Sequence, residues 1–109
     1  MDAKVKTELD KIVHILVESG IVTKIILFGS HARGDATPDS DIDLCVLTPV
    51  EDNGRPFTDI TVNLRAKLIN VQERALDFLA YNQNDFLTWA DKPKSFEHEI
   101  ATEGMVLYG

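Results

Sequence analysis

The chain has 109 residues, and 11 Lys and Arg against 18 Asp and Glu give a formal net charge of −7 at pH 7. Its length and 44% hydrophobic content predict one globular domain over residues 1–109. The acidic balance argues against direct nucleic-acid binding, and the longest uncharged stretch, Ile25–Ala32, is too short to span a membrane. A single cysteine leaves no internal disulfide, and the N-terminal stretch has no apolar signal-peptide core, so we expect a cytoplasmic protein.

The first part of the chain predicts a helix and two strands. Apolar residues recur at steps of three and four over residues 3–19, which is the spacing of one helical face. The run Ile21–Phe28 is rich in β-branched residues and predicts a buried strand. Small and polar residues over Gly29–Pro38 indicate a turn or short helix, and Asp41–Leu47 predicts the second strand.

The middle of the chain predicts a loop, a helix and a third strand. The stretch Thr48–Pro56 holds two prolines and an Asn-Gly pair, which favours a loop. The helical spacing resumes at Phe57, with Thr58 or Asp59 as the expected N-cap. A third strand is expected over Arg74–Tyr81.

The last part predicts two helices, a short one around Phe86–Ala90 and a final one over Ser95–Thr102 with Ser95 as its cap. We expect the apolar residues of this region, Phe96, Ile100 and Met105, to face inward. We expect the polar residues to be mostly solvated; these are Glu97, His98, Glu99 and Glu103. The order α-β-β-α-β-α predicts a small α/β sandwich, in which helices cover a short mixed sheet of about three or more strands.

Gly29 and Ser30 follow an apolar strand and open a turn or short helix. Such a place presents free backbone N–H groups that bind phosphate, and a glycine allows the phosphate to approach closely. The alternative is a plain strand-to-helix turn with Ser30 as its cap. The pair alone does not decide between the two.

Asp41 and Asp43 form the second informative feature. On a strand, residues i and i+2 share a face, with Cα atoms about 6.6 Å apart from the rise of ~3.3 Å per residue. The two carboxylates therefore project together, and a divalent cation would relieve their repulsion. The alternative is a solvated acidic edge. A P-loop is excluded because Asp35 stands where its lysine belongs, and an EF-hand is excluded because Leu44 replaces its glycine.

The combination of Gly29-Ser30, ten further residues, and Asp41-Ile42-Asp43 resembles the signature of the polymerase-β-like nucleotidyltransferase superfamily. The fuller strings G-S-H-A-R-G and S-D-I-D-L are similar to those of its minimal, MNT-type members, and the similarity extends to Glu103–Tyr108. The resemblance implies a third carboxylate on a later strand. Asp77 is the candidate, and a salt bridge to Arg33 or Arg74 is its alternative role.

The resemblance further implies nucleotidyl transfer from ATP or another nucleoside triphosphate with two Mg²⁺ ions. Gly29 and Ser30 would hold the triphosphate, while Asp41, Asp43 and Asp77 would be metal ligands and catalytic residues. Ser40 would cap or orient the metal pair, and contact with the nucleotide is its alternative role.

Minimal members are often antitoxins of small helical HEPN-type ribonucleases, which they adenylylate on tyrosine. By this analogy the acceptor would be a partner protein. Two alternatives stay open: a non-catalytic module that neutralises a partner by docking, and a homo-oligomeric nucleotidyltransferase acting on small molecules.

Overall fold

The computed structural model describes residues 1–49 and 56–109. Within them the chain forms five helices and four strands. In chain order these are α1 (Ala3–Glu18), β1 (Lys24–Phe28), α2 (Gly29–Arg33), β2 (Ile42–Thr48), α3 (Phe57–Leu68), β3 (Leu76–Asn82), α4 (Gln83–Ala90), α5 (Phe96–Glu103) and β4 (Met105–Tyr108). No helix in these two ranges combines the length and apolarity that a membrane crossing needs.

The four strands make one mixed sheet in the order β3-β2-β1-β4. β1 is antiparallel to both of its neighbours, β2 and β4. β2 and β3 are parallel, and the chain returns between them through α3. The carboxyl end of β1 therefore lies beside the amino end of β2, which in turn lies beside the amino end of β3.

Apolar residues alternate between the two faces of the sheet, because successive side chains of a strand point to opposite sides. α1 and α3 cover one face. The buried core there includes Leu9, Ile12, Leu16, Ile25, Leu27, Ile42, Leu44, Val46, Ile60 and Leu64. Residues of α4 and α5 pack on the other face in a smaller cluster of Ile26, Cys45, Leu47, Phe86 and Ile100. The predicted α/β sandwich is thus confirmed.

Several predicted boundaries are corrected. β1 begins at Lys24 rather than Ile21. α3 has Pro56 as its N-cap with no side-chain cap, so Thr58 and Asp59 lie inside the first turn and their predicted capping role is wrong. Ser95 does cap α5, since its Oγ accepts a hydrogen bond of 2.9 Å from the His98 amide. Most of the predicted loop Thr48–Pro56 lies outside the described residues.

The strand β4 was not predicted. Met105 was expected to face inward from the last helix, but it begins β4 and its relative exposure is 47%. The four-residue strand is too short for a clear alternating pattern, and its pairing partner β1 is far away in the sequence. Phe96 is also half exposed, whereas Ile100 is buried as predicted.

Candidate active site

The candidate site forms where β1 ends and β2 begins. Phe28, the last residue of β1, is the register partner of Asp43 in β2, and α2 starts immediately afterwards at Gly29. The antiparallel pairing therefore places Gly29 and Ser30 beside the Asp41 and Asp43 pair. The two motifs converge because β1 and β2 are antiparallel neighbours joined by a short connection.

Gly29 is the point of closest approach between the two motifs. Its φ is +73°, which is a conformation that side chains with a Cβ rarely adopt. A Cβ added at Gly29 would overlap Oδ2 of Asp43 and lie 2.9 Å from its Cγ. Both the backbone conformation and the neighbouring carboxylate therefore require glycine here.

Asp77 lies opposite Asp43 across the parallel pairing of β2 and β3. Ile42 and Leu44 are buried in the core under α1 and α3, so the side chains of Asp43 and its register partner belong to the opposite face. Asp41 immediately precedes β2 and is exposed. The structure thus brings the three predicted carboxylates to one end of the sheet, with Asp43 and Asp77 on the face that α4 and α5 partly cover.

The alternative role for Asp77 as a salt-bridge partner is wrong, because both candidate arginines are engaged elsewhere. Arg33 Nε lies 3.2 Å from Asp35 Oδ2 on the surface. Arg74 Nη1 lies 2.5 Å from Glu8 Oε1. Asp77 is exposed and available to solvent or a ligand.

The electrostatics of the site centre on Asp43. Burial raises the pKa of its carboxyl, and the charges of Asp77 and Asp41 raise it further. His31 and Arg33 act in the opposite direction, but the pKa remains above its ordinary value. Like charges held together in this way favour the uptake of a cation.

The carboxylates fit a divalent metal that arrives with phosphate. In residues 1–49 and 56–109, no three or more His, Cys, Asp or Glu side chains are arranged to hold a metal ion by themselves. Mg²⁺ commonly takes one or two carboxylates and completes its octahedral shell with substrate phosphates and water. Hard carboxylate oxygens of Asp43 and its neighbours on adjacent strands, beside Gly29, match that ligand set.

A cavity of about 300 Å³ opens next to Asp43. Its lining combines residues of the β1–α2 junction with residues of α5: Phe28, Gly29, Ser30, Arg33, Asp43, Phe96, Glu99, Ile100 and Glu103. Glu99 and Glu103 are exposed, as expected, and they also line this cavity, which was not predicted. The sequence did carry a signal, since residues 96 and 100 and residues 99 and 103 are both spaced four apart on neighbouring helical stripes.

Two aromatic rings form one wall of this cavity. Phe28 and Phe96 pack edge to face with ring centroids 5.7 Å apart. The contact ties the N-terminal turn of α5 to the last residue of β1. The wall is therefore apolar and sits within reach of the phosphate-binding turn predicted at Ser30.

His31 and Ser40 hold the loop that leads to Asp41. His31 is 9% exposed, and its Nε2 lies 3.1 Å from the carbonyl oxygen of Ser40. The Ser40 hydroxyl is used locally, accepting a hydrogen bond of 3.0 Å from the amide of Thr37. The Ser40 side chain thus contacts Thr37 within the loop, and its predicted role in orienting the metal pair stays a prediction.

The other two histidines lie outside the candidate site. His14 on α1 is exposed, with Nε2 3.9 Å from Glu18 Oε1. His98, expected to be solvated, is half-buried, and its Nδ1 lies 2.8 Å from the carbonyl oxygen of Ala90. In both cases the orientation of the helix, rather than the neighbouring residues in the sequence, decides the exposure.

Comparison of the sequence with known families identifies the class of enzyme. The nucleotidyltransferase domain family matches residues 9–108. The chain belongs to this family and is an enzyme of the nucleotidyltransferase class. Enzymes of this class generally use a nucleoside triphosphate and a divalent metal.

Two known proteins illustrate the similarity. A protein of Methanocaldococcus jannaschii named "Putative protein adenylyltransferase" is 34% identical over 92 residues, which cover 82% of this chain and 81% of that protein. A crystal structure from Sulfolobus solfataricus, titled as a "putative nucleotidyltransferase", superposes with a TM-score of 0.54 at 17% identity. It covers 92% of this chain and 76% of the other, and it shows the same fold.

Proposed function

We propose that the protein transfers AMP from ATP, with Mg²⁺, to a hydroxyl of a partner protein. The observation that carries the proposal is the position of Asp43, which lies opposite Asp77 on one side and against Gly29 on the other. A phosphate held at the Gly29-Ser30 turn would therefore meet the carboxylates directly. The 34% identity to a protein named as an adenylyltransferase supports AMP as the transferred group.

In the proposed reaction Gly29 and Ser30 bind the triphosphate through backbone N–H groups and the Ser30 hydroxyl. Asp41, Asp43 and Asp77 would hold two divalent cations, which would neutralise phosphate charge and make the acceptor hydroxyl more acidic. The acceptor oxygen forms a bond to the α-phosphorus, and the bond from that phosphorus to the bridging oxygen breaks in line. Pyrophosphate leaves, and the hydroxyl proton passes to Asp77 as general base.

A protein acceptor fits the character of this chain. The related archaeal protein is named as a protein adenylyltransferase and matches along most of its length. The net charge of −7 would speed the encounter with a basic partner such as a ribonuclease. We therefore propose that the acceptor is a tyrosine of a small helical HEPN-type toxin and that this chain is its antitoxin.

The test is mass spectrometry of the protein encoded next to this one, after incubation with ATP, Mg²⁺ and this enzyme. A mass gain of one AMP unit on a tyrosine is expected. Asp41→Asn should abolish it, whereas Asp39→Asn removes the same charge from an exposed position two residues away and should retain it. Ser30→Ala should impair transfer without preventing association with the partner.

The outcomes separate the proposal from its alternatives. Neutralisation of the neighbour without any mass gain would reject transfer and favour a docking module. Labelling of a hydroxylated small molecule by a self-associated enzyme, with no labelling of the neighbour, would reject the protein acceptor. Equal activity of Asp41→Asn and the unmodified protein would reject the assigned site.

A further inference from the structure

A buried carboxylate lies outside the candidate site and makes several hydrogen bonds. Glu8 on α1 is 1% exposed. Its Oε2 accepts hydrogen bonds from the backbone amides of Glu73, at 2.7 Å, and Arg74, at 2.8 Å. Its Oε1 accepts a third from Arg74 Nη1 at 2.5 Å. Burial acts to raise the pKa of Glu8, but these hydrogen bonds and the charge of Arg74 outweigh it, and the pKa is lowered.

Arg74 makes a second contact with a different part of the chain. Its Nε donates a hydrogen bond of 2.5 Å to the carbonyl oxygen of Pro38, in the loop between α2 and β2. One guanidinium therefore joins three segments: α1 through Glu8, the segment before β3, and the loop before β2. Arginine suits this task because its planar fork carries several donors that point in fixed, different directions.

These contacts lie just before the first residues of β2 and β3, the strands associated with the candidate carboxylates. Asp41 is three residues after Pro38, and Asp77 is three residues after Arg74. Next to these contacts, the Ile42 amide donates a backbone hydrogen bond of 2.9 Å to the Ala75 carbonyl oxygen, which joins the start of β2 to the segment before β3. A slip of one residue would turn Asp43 or Asp77 to the opposite face, so the register at this point determines whether the site exists.

We propose that Glu8 and Arg74 are positioning residues of the nucleotidyl-transfer site. Their ion pair fixes the start of β3 against the loop before β2 and so holds Asp41, Asp43 and Asp77 where they reach the same metal–nucleotide complex. The inference rests on the proposed function. Neither residue lines the cavity beside Asp43, and both act through the backbone that they hold.

The experiment compares arginine variants by their metal affinity rather than by activity alone. Arg74→Met removes the contacts to Glu8 and Pro38, while Arg74→Lys keeps the charge but cannot reach both partners from one ammonium group. Arg65→Met is the matched control. Arg65 Nη2 donates a hydrogen bond of 2.8 Å to the Phe78 carbonyl oxygen, so this variant also loses an arginine contact to β3, but none to the loop before β2.

The measurement is the affinity for Mn²⁺ in the presence of a non-hydrolysable ATP analogue, by calorimetry at a temperature where circular dichroism shows each variant folded. Loss of a residue that orients metal ligands typically weakens metal binding about 10- to 100-fold, and this range is expected for Arg74→Met. Arg74→Lys should show a smaller loss. Arg65→Met should bind Mn²⁺ as the unmodified protein does, even where its thermal stability falls.

Hydrogen exchange supplies a second readout that needs no ligand. The amide of Ile42 should exchange faster in Arg74→Met and remain protected in Arg65→Met. If Arg74→Met does not fold, Arg74→Lys carries the test with the same two measurements. Unchanged Mn²⁺ affinity and unchanged Ile42 protection in the folded Arg74 variants would overturn the inference.

The same data distinguish this inference from the proposed function. If the unmodified protein binds no Mn²⁺ with the nucleotide analogue, the metal-dependent function fails, and Ile42 exchange still decides whether Arg74 holds the loop. If the unmodified protein binds Mn²⁺ and the Arg74 variants bind it equally well, the function stands and the positioning role fails.

Discussion

Asp43 and Asp77 are register partners across β2 and β3, and each is the second residue of its strand. Two carboxylates in this arrangement repel, and burial of Asp43 adds to the cost of keeping its charge. The fold retains this unfavourable pair because other interactions stabilise the two strands. The pair therefore lowers the stability of the metal-free protein, and a bound cation would relieve this cost.

We predict that Asp43→Asn stabilises the metal-free protein at pH 7 while abolishing nucleotidyl transfer. The native pKa of Asp43 is raised above its ordinary value of 3.8, so the ionised side chain destabilises the fold at neutral pH. Removal of this charge should therefore raise the Tm of the metal-free protein. The advantage of the variant should shrink as the pH falls through the native pKa and vanish below the unfolded-state value. A lower Tm for Asp43→Asn without metal would contradict this account.

Gly29→Ala should damage the site far more than Gly34→Ala does. Both glycines have positive φ, +73° and +85°, so each alanine pays a backbone cost of roughly 1–2 kcal/mol. A Cβ at Gly34 meets nothing within 4 Å, whereas at Gly29 it displaces Asp43. Displacement of a catalytic group by about 1 Å can cost ~100-fold in rate, and a loss of that scale is expected for Gly29→Ala alone. Equal activity of the two variants, compared under conditions where both are folded, would mean that a Cβ at position 29 does not displace Asp43.

Glu8→Gln should make the protein less stable at neutral pH and less sensitive to acid. The native pKa of Glu8 lies below its ordinary value of 4.5, so its charge stabilises the fold above that pH. This contribution to stability is lost as the pH falls through the native pKa. Removal of one member of a buried ion pair costs about 3–5 kcal/mol. Urea unfolding between pH 7 and pH 3 should therefore show that the difference in the free energy of unfolding between Glu8→Gln and the unmodified protein becomes smaller as the pH falls.

The control for this experiment is Asp10→Asn on the same helix. Asp10 pairs with Lys6 on the surface, where both side chains are 67% exposed, and such pairs contribute about 0–1 kcal/mol. A destabilisation by Asp10→Asn as large as that by Glu8→Gln would mean that the loss reflects helix charge in general.

Cys45 should resist thiol reagents in the folded protein. Burial, with a smaller contribution from the nearby charge of Glu97, raises the pKa of its thiol to about 12, and the thiolate is the reactive form. Labelling with a disulfide reagent at pH 8 should be slow in buffer and complete after unfolding in urea. Rapid labelling of the native protein would contradict the buried position of Cys45 on the α4 and α5 face of the sheet.

The local patterns of the sequence predicted much of the site. The two-residue period of a strand predicted that Asp41 and Asp43 share one face. Ile42, Leu44 and Val46 are buried on the opposite face, as this alternation requires. The resemblance to known nucleotidyltransferases pointed to Asp77. Its direct pairing with Asp43 depends on the strand order, which pattern and spacing do not determine.

Contacts between residues far apart in the sequence could not be predicted from local patterns. Arg74 was considered as a partner of Asp77, and its pairing with Glu8 spans 66 positions of the chain. A signal did exist: Glu8 falls three residues after Val5 and four before Ile12, on the apolar stripe of α1, where a charge needs a partner. The aromatic wall of Phe28 and Phe96 likewise depends on how α5 packs against the sheet.

The pairing of β1 with β4 determines when this four-stranded sheet can close during synthesis. Among the described strands β1 is made first and β4 last, and their hydrogen-bonded register joins Ile25 to Tyr108. Contacts this distant in sequence slow folding, because a long loop must close before they form. The cavity beside Asp43 needs α5, which directly precedes β4. A nascent chain therefore carries its Gly-Ser and Asp-x-Asp motifs well before the α5 residues that line the cavity beside Asp43 have been made.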